Sequence, residues 1–183
     1  LIGFGQGWEQ ILGGIETDHG GSSQQTLDGG YIITGYRQIM MDSGCCEWDV
    51  LLIKTDENGE EEWTKTFGDS GENWGRSVQQ TLDGGYIITG NSFGSGNQDV
   101  YLIKTDVNGE EEWSQTFGGI NSDIGFSVQQ TMDNGYVITG HKDTNQVPTT
   151  GFGGGDEDLY LIKTDENGEE EWSKTFGDTD YQR

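Results

Sequence analysis

Two adjacent cysteines, Cys45 and Cys46, are the only thiols in the chain. Neighbouring Cα atoms lie about 3.8 Å apart across a trans peptide, below the roughly 4.4–6.8 Å usual for a disulfide. A vicinal bridge there is strained, and free thiols or bonds to another segment are the alternatives. The pair lacks the spacing of a zinc or iron–sulfur site. His19 and His141 are the only histidines; neither stands near a serine or cysteine in a catalytic arrangement, and both read as solvated loop residues. Acidic clusters point to a hard cation instead. Asp156, Glu157 and Asp158 form a candidate calcium cluster, and Asp56, Asn58 and Glu60 present oxygens at alternate positions. Calcium takes roughly six to eight oxygen ligands, more than either cluster supplies locally, and turn geometry alone explains the second. GFGGGD at 151–156 lacks the strand-to-helix context and Lys-Ser/Thr ending of a phosphate loop, and reads as flexible glycine. No P-loop, nucleophile elbow or HExxH occurs, so no catalytic residue and no cofactor beyond candidate calcium is assigned.

The elements that would position these groups come from internal repetition. QQTLDGGYIITG at 24–35 returns at 79–90 and, as QQTMDNGYVITG, at 129–140. LLIKTDENGEEEW at 51–63 returns as YLIKTDVNGEEEW at 101–113 and YLIKTDENGEEEW at 160–172. Each unit reads as four short strands: SVQQT or SSQQT, then YIITG or YVITG, then D-[VL]-[LY]-L-I-K-T, then EEW-[ST]-x-T-F. Asp-Gly or Asn-Gly joins the first two, a strong hairpin signal, and D-x-N-G turns the third into the fourth. Tyr31–Ile33 and Val50–Ile53 are apolar on both faces, as strands covered on both sides should be. The last strand alternates, with Trp63, Lys65 and Phe67 on one face and Glu62, Thr64 and Thr66 on the other. No sustained helical periodicity occurs. The expected fold is all-β, built of four-stranded antiparallel blades.

Those repeated motifs resemble the β-propeller-type repeats of secreted and cell-surface archaeal and bacterial proteins. The resemblance implies residues 1–14 as the outer strand of a preceding blade, 15–68, 69–118 and 119–177 as three full blades, and 178–183 as the start of another. Three blades are too few to close a ring. Either the chain is part of a longer polypeptide, as its opening on Leu1 rather than Met suggests, or copies complement one another head to tail, Trp8 of the first strand seeking inner partners that the 178–183 segment begins.

Composition narrows the partners. Asp and Glu outnumber Lys and Arg 33 to 9, for a net charge of −24. Such a surface opposes nucleic acid, whose affinity depends on basic residues, and anionic membranes. No apolar run reaches the roughly 18 residues of a membrane span, so no membrane insertion is expected. The Glu60-Glu61-Glu62 run and its copies at 110–112 and 169–171 read as a solvated, charged outer edge.

Residues shared by every unit serve the scaffold, so departures from the repeat are the candidates for binding. They concentrate between the second and third strands: YRQIMMDSGCCEW at 36–48, NSFGSGNQ at 91–98 and HKDTNQVPTTGFGGGDE at 141–157. Loops on a rigid scaffold commonly carry function. Tyr36, Arg37, Trp48 and His141 of these stretches, with Trp74 ahead of the second SVQQT strand, are therefore the expected interaction rim, packing between blades being the equal alternative for Trp74. The function expected is a non-catalytic extracellular or cell-surface repeat protein with a structural, adhesive or assembly role. The alternative is a glycan- or small-ligand-binding module using the rim aromatics.

Overall fold

The computed structural model describes residues 9–41, 44, 46–68, 71–94, 96–144 and 157–177. The 1–8 part of the N-terminal strand, Cys45, Asp156 and the 178–183 segment lie outside the described residues.

The described residues form three antiparallel sheets of four strands, each taken in chain order. The first holds β1 (Asp18–Gln25), β2 (Tyr31–Met40), β3 (Cys46–Thr55) and β4 (Glu61–Phe67). The second holds β5 (Asn73–Gln80), β6 (Tyr86–Ser92), β7 (Asp99–Thr105) and β8 (Glu111–Phe117). The third holds β9 (Asp123–Gln130), β10 (Tyr136–Asp143), β11 (Glu157–Thr164) and β12 (Glu170–Phe176). The all-β expectation, with four antiparallel strands per unit, therefore holds. Among the described residues no helix is long and apolar enough to cross a membrane.

Turn chemistry sets the register. Each first turn needs one residue in the left-handed region, filled by Gly29 (φ 92°), Gly84 (φ 88°) and Asn134 (φ 68°), Asn being one of the few residues with a side chain that tolerates it. The preceding Asp28 accepts from the Gly30 N–H at 3.0 Å and from the Thr26 hydroxyl. Asp83 and Asp133 repeat the arrangement.

The sheets pack face to face. Ile32, Val50, Leu52 and Phe67 of the first meet Val78, Tyr86 and Ile88 of the second. Ile87, Val100, Leu102 and Phe117 of the second meet Val128, Tyr136 and Ile138 of the third. The middle sheet is covered on both faces, which is why β6 is buried throughout. At each junction a tryptophan stands edge-on to a tyrosine: Trp63 to Tyr86 at 5.8 Å and Trp113 to Tyr136 at 5.7 Å. Glutamines stitch the turns together. Gln80 N–H donates to Gln24 Oε1 at 2.6 Å and Leu27 N–H to Gln80 Oε1 at 2.9 Å; Gln130 repeats both bonds with Gln79 and Leu82.

The charged edge differs from the sequence expectation at one residue per run. The lysine of each LIKT motif is buried, and its ammonium is held by the turn aspartate and by the third glutamate of the run. Lys54 takes Asp28 and Glu62, Lys104 takes Asp83 and Glu112, and Lys163 takes Asp133 and Glu171, all at 2.8–3.1 Å. Glu62, Glu112 and Glu171 are thus partners of buried cations. A bulge between the third and fourth strands, between Lys54 and Thr55 and at the equivalent places, accommodates the extra residue.

Candidate functional site

The first strand of every sheet begins four residues earlier than its SVQQT core implied, and the added residues matter most. In each, one residue bulges out of the ladder at the same point: Gly21 between Gly20 and Ser22, Arg76 between Gly75 and Ser77, and Phe126 opposite the Thr139–Gly140 step. A bulge leaves its residue unpaired and re-aims the side chain. The first strands also pack on one another, β5 on β1 and β9 on β5, so the three bulges face a common region.

The second strands run further than expected as well. Tyr36 and Arg37 lie within β2, Trp48 within β3 and His141 within β10, while His19 lies within β1. None of these five is a loop residue, contrary to the sequence reading. Antiparallel pairing of Val/Ile-rich strands continued past the repeated segment and drew them into the ladder, where His19 faces Tyr36 and Trp48 faces Gln38.

This pairing assembles a line of rings across all three sheets. His19 stacks on Tyr36 (4.7 Å), and Tyr36 stacks on Trp74 (5.3 Å) with Trp48 edge-on to it (5.4 Å). The Arg76 guanidinium lies 5.6 Å from the Trp74 ring and 5.3 Å from that of Phe126. Phe126 in turn stands edge-on to His141 at 5.2 Å. Four of the five expected rim residues (Tyr36, Trp48, Trp74 and His141) are brought together in this way. Arg37 is not: it is committed to Asp18 through bonds of 2.7 and 3.0 Å.

Between the rings opens a cleft of about 290 Å³ lined by Gly20, Gly21, Tyr36, Trp74, Gly75, Arg76 and Phe126. Two glycines there are demanded by packing. A Cβ on Gly21 would stand 2.7 Å from Gly75 O, and one on Gly75 would stand 2.4 Å from Thr34 Oγ1. Gly20 instead borders open space. Arg76 donates from Nε to Asn91 Oδ1 at 3.0 Å. No carboxylate pairs with it among the described residues, and burial holds its pKa below the usual guanidinium value. The Trp74 Nε1 is buried with no hydrogen-bond acceptor among the described residues. The cleft is thus lined by three aromatic rings and a half-buried cation. Arg76 and Phe126 escaped the sequence reading. Their signal was present: one position inside G-x-S-[SV]-Q-Q reads Gly, Arg and Phe in turn while its neighbours repeat.

The remaining candidates fall elsewhere. Cys46 is exposed at the start of β3, its Sγ 3.6 Å from Met40 Sδ. Of the candidate calcium residues, Glu157 faces His141 (3.6 Å) and Asp158 accepts from Thr144 Oγ1 (2.9 Å); successive strand residues point to opposite faces, so these two diverge. Asp56 Oδ1 accepts from the N–H groups of Asn58 and Glu60 at 2.8 and 2.9 Å, and Asp106 and Asp165 do the same in their sheets. Among the described residues no three Asp, Glu, His or Cys side chains converge as a metal centre.

One junction carries an electrostatic departure. At the first, Asp49 meets Asn73 beside Gly68; at the second, Asp99 meets Asp123 beside Gly118. Burial pushes the Asp123 carboxyl up to about 6, with Lys142 opposing and Asp99 adding to the shift. Burial raises Asp99 too.

No protein-family model and no curated protein matches the chain, so what the cleft does is read from its own geometry.

Proposed function

We propose that the chain is a non-catalytic binding module of β-propeller type, working at the cell surface or outside the cell, whose bulged inner strands hold a saccharide. The blades of this reading are the three four-stranded sheets, with β1, β5 and β9 innermost and β4, β8 and β12 outermost. The observation that carries the proposal is the cleft lined by Tyr36, Trp74, Arg76 and Phe126. Ligand sites pair apolar, aromatic walls with a few placed polar groups, in volumes of roughly 300–1,000 Å³, and a cleft of about 290 Å³ suits one pyranose ring. Aromatic faces stack on the C–H faces of sugars while N–H donors meet hydroxyls. The test is a glycan array followed by titration calorimetry on the hits. Trp74→Ala is expected to abolish binding, and Trp48→Ala, which only buttresses Tyr36, to weaken it several-fold. Equal binding by wild type and Trp74→Ala would discard the reading.

A second reading, assembly, has its own observation. Leu159, Trp172 and Phe176 are 50%, 42% and 52% exposed, whereas their counterparts in the first two sheets are covered by the next sheet. The occupant that fits is a further sheet of the same kind, from a second copy of the chain, repeating the two junctions already inside the molecule.

A further inference from the structure

We infer that the cleft at the three bulges selects a saccharide bearing a single carboxylate, a uronic-acid type of ligand, with Arg76 as its counter-ion; this rests on the saccharide reading above. Nε of Arg76 is spent on Asn91. Its terminal nitrogens make no hydrogen bond among the described residues, and they form the parallel N–H pair that matches a carboxylate. The guanidinium lies between the Trp74 and Phe126 rings, 5.6 and 5.3 Å from their centres. A guanidinium stays charged even where burial opposes it, so the site holds a half-buried cation with no carboxylate paired to it among the described residues. That is conspicuous here, because Asp and Glu outnumber Lys and Arg 33 to 9 and each buried Lys of the LIKT motifs holds two carboxylates.

The same excess charge sets the ligand's valence. A net charge of −24 repels polyanions over a Debye length of roughly 8–10 Å, which disfavours polyuronates, polyphosphates and nucleic acids. One carboxylate, neutralised at Arg76, escapes most of that repulsion. The ring carrying it would lie in the space beside Gly20, where an added Cβ meets nothing within 4 Å; β1 stays glycine there, leaving the floor of the cleft bare backbone.

The experiment compares aldotriouronic acid, a xylobiose carrying one glucuronate, with its methyl ester, which keeps the sugar and removes the charge. Titration calorimetry on the folded chain is expected to give at least tenfold tighter binding for the acid. Added sodium chloride should weaken the acid and leave the ester unchanged, a readout that needs no variant. Arg76→Gln should bring the acid down to the ester's affinity. Gly20→Ile, a strand-compatible substitution that fills the cleft, should abolish both while the urea midpoint stays within error of wild type. Equal binding of acid and ester by wild type, or a preference that survives Arg76→Gln, overturns the carboxylate inference and leaves the saccharide reading standing. Binding of neither compound overturns both.

Discussion

At the level of single residues, the two junctions provide an internal control on burial of charge. Asn73 and Asp123 occupy equivalent places, at the start of β5 and β9, but only Asp123 must ionise beside a second carboxyl. The groups facing it are Asp99, Lys142 and the backbone N–H groups of Asp143 and Gly119. Its folded pKa of about 6 lies above the ordinary 3.8. Between those values the folded state binds more protons than the unfolded one, so stability falls as pH rises and the loss is complete above pH 6. Asp123→Asn installs the residue already used at the first junction and removes the titration. It should leave stability at pH 4 nearly unchanged and raise it at pH 8 by about 2 kcal/mol, taking a shift of roughly two units at 1.36 kcal/mol each with a discount for relaxation. Urea unfolding of both proteins at the two pH values measures this, and an equal gain at both would refute it. The sequence marked Tyr36, Trp48, Trp74 and His141 because they interrupt the repeat, and the structure brings those four together. Arg76 and Phe126 interrupt it equally but stand directly before the repeated S-V-Q-Q segment, away from the long variable stretches. What conceals them is the bulge: a two-residue period assigns each to one face, and only the ladder reveals that they are set free of it.

Element by element, the strands were legible because turn chemistry and β-branched runs agree in every copy. Their ends were not, because Asp18–Gly21, Gln38–Met40 and Asn73–Arg76 carry no apolar alternation and join the ladder through pairing alone. The lysine triads were hidden for a related reason. A charged residue in an apolar run reads as an interruption, yet Lys104 is 3% exposed at its side chain, its stem lying within the sheet and its ammonium linking the β5–β6 turn to β8. Each triad therefore pins a hairpin turn to the fourth strand of its sheet. Asp83 and Glu112 are both about half exposed, so removing either leaves the other to compensate. Asp83→Asn or Glu112→Gln alone should lower stability by less than about 1 kcal/mol, in the range of solvent-exposed pairs. The double variant strands a buried ammonium, a loss of about 3 kcal/mol. A thermodynamic cycle by urea unfolding should therefore show a loss larger than the sum of the singles. Strict additivity would mean the lysine reaches water on its own.

For the molecule as a whole, stability is a nearest-neighbour property: each sheet buries its face on the next, and the main strand contacts between sheets join the first to the second and the second to the third. Such stacks behave approximately as a sum of unit and junction terms, and an end unit lacks one junction. Phe117 and Phe176 separate the consequences. They are the same residue at the same strand position, but Phe117 is 8% exposed beneath β9–β12 and Phe176 is 52% exposed on the open face. Phe117→Ala should destabilise by about 3 kcal/mol, the low end for a buried phenylalanine, at any protein concentration. Phe176→Ala should lower the stability of the single chain by less than about 1 kcal/mol. If a second copy docks on that face, wild-type chain should sediment with increasing mass as concentration rises through the micromolar range, and Phe176→Ala should shift that rise to higher concentration. The contact joins unlike faces, so it would propagate instead of stopping at a pair. Adding Trp172→Ala should then weaken association further, since Trp172 stands where Trp113 meets Tyr136. Sedimentation of wild type that does not change with concentration would remove the assembly reading while leaving the cleft, built wholly within one chain, untouched.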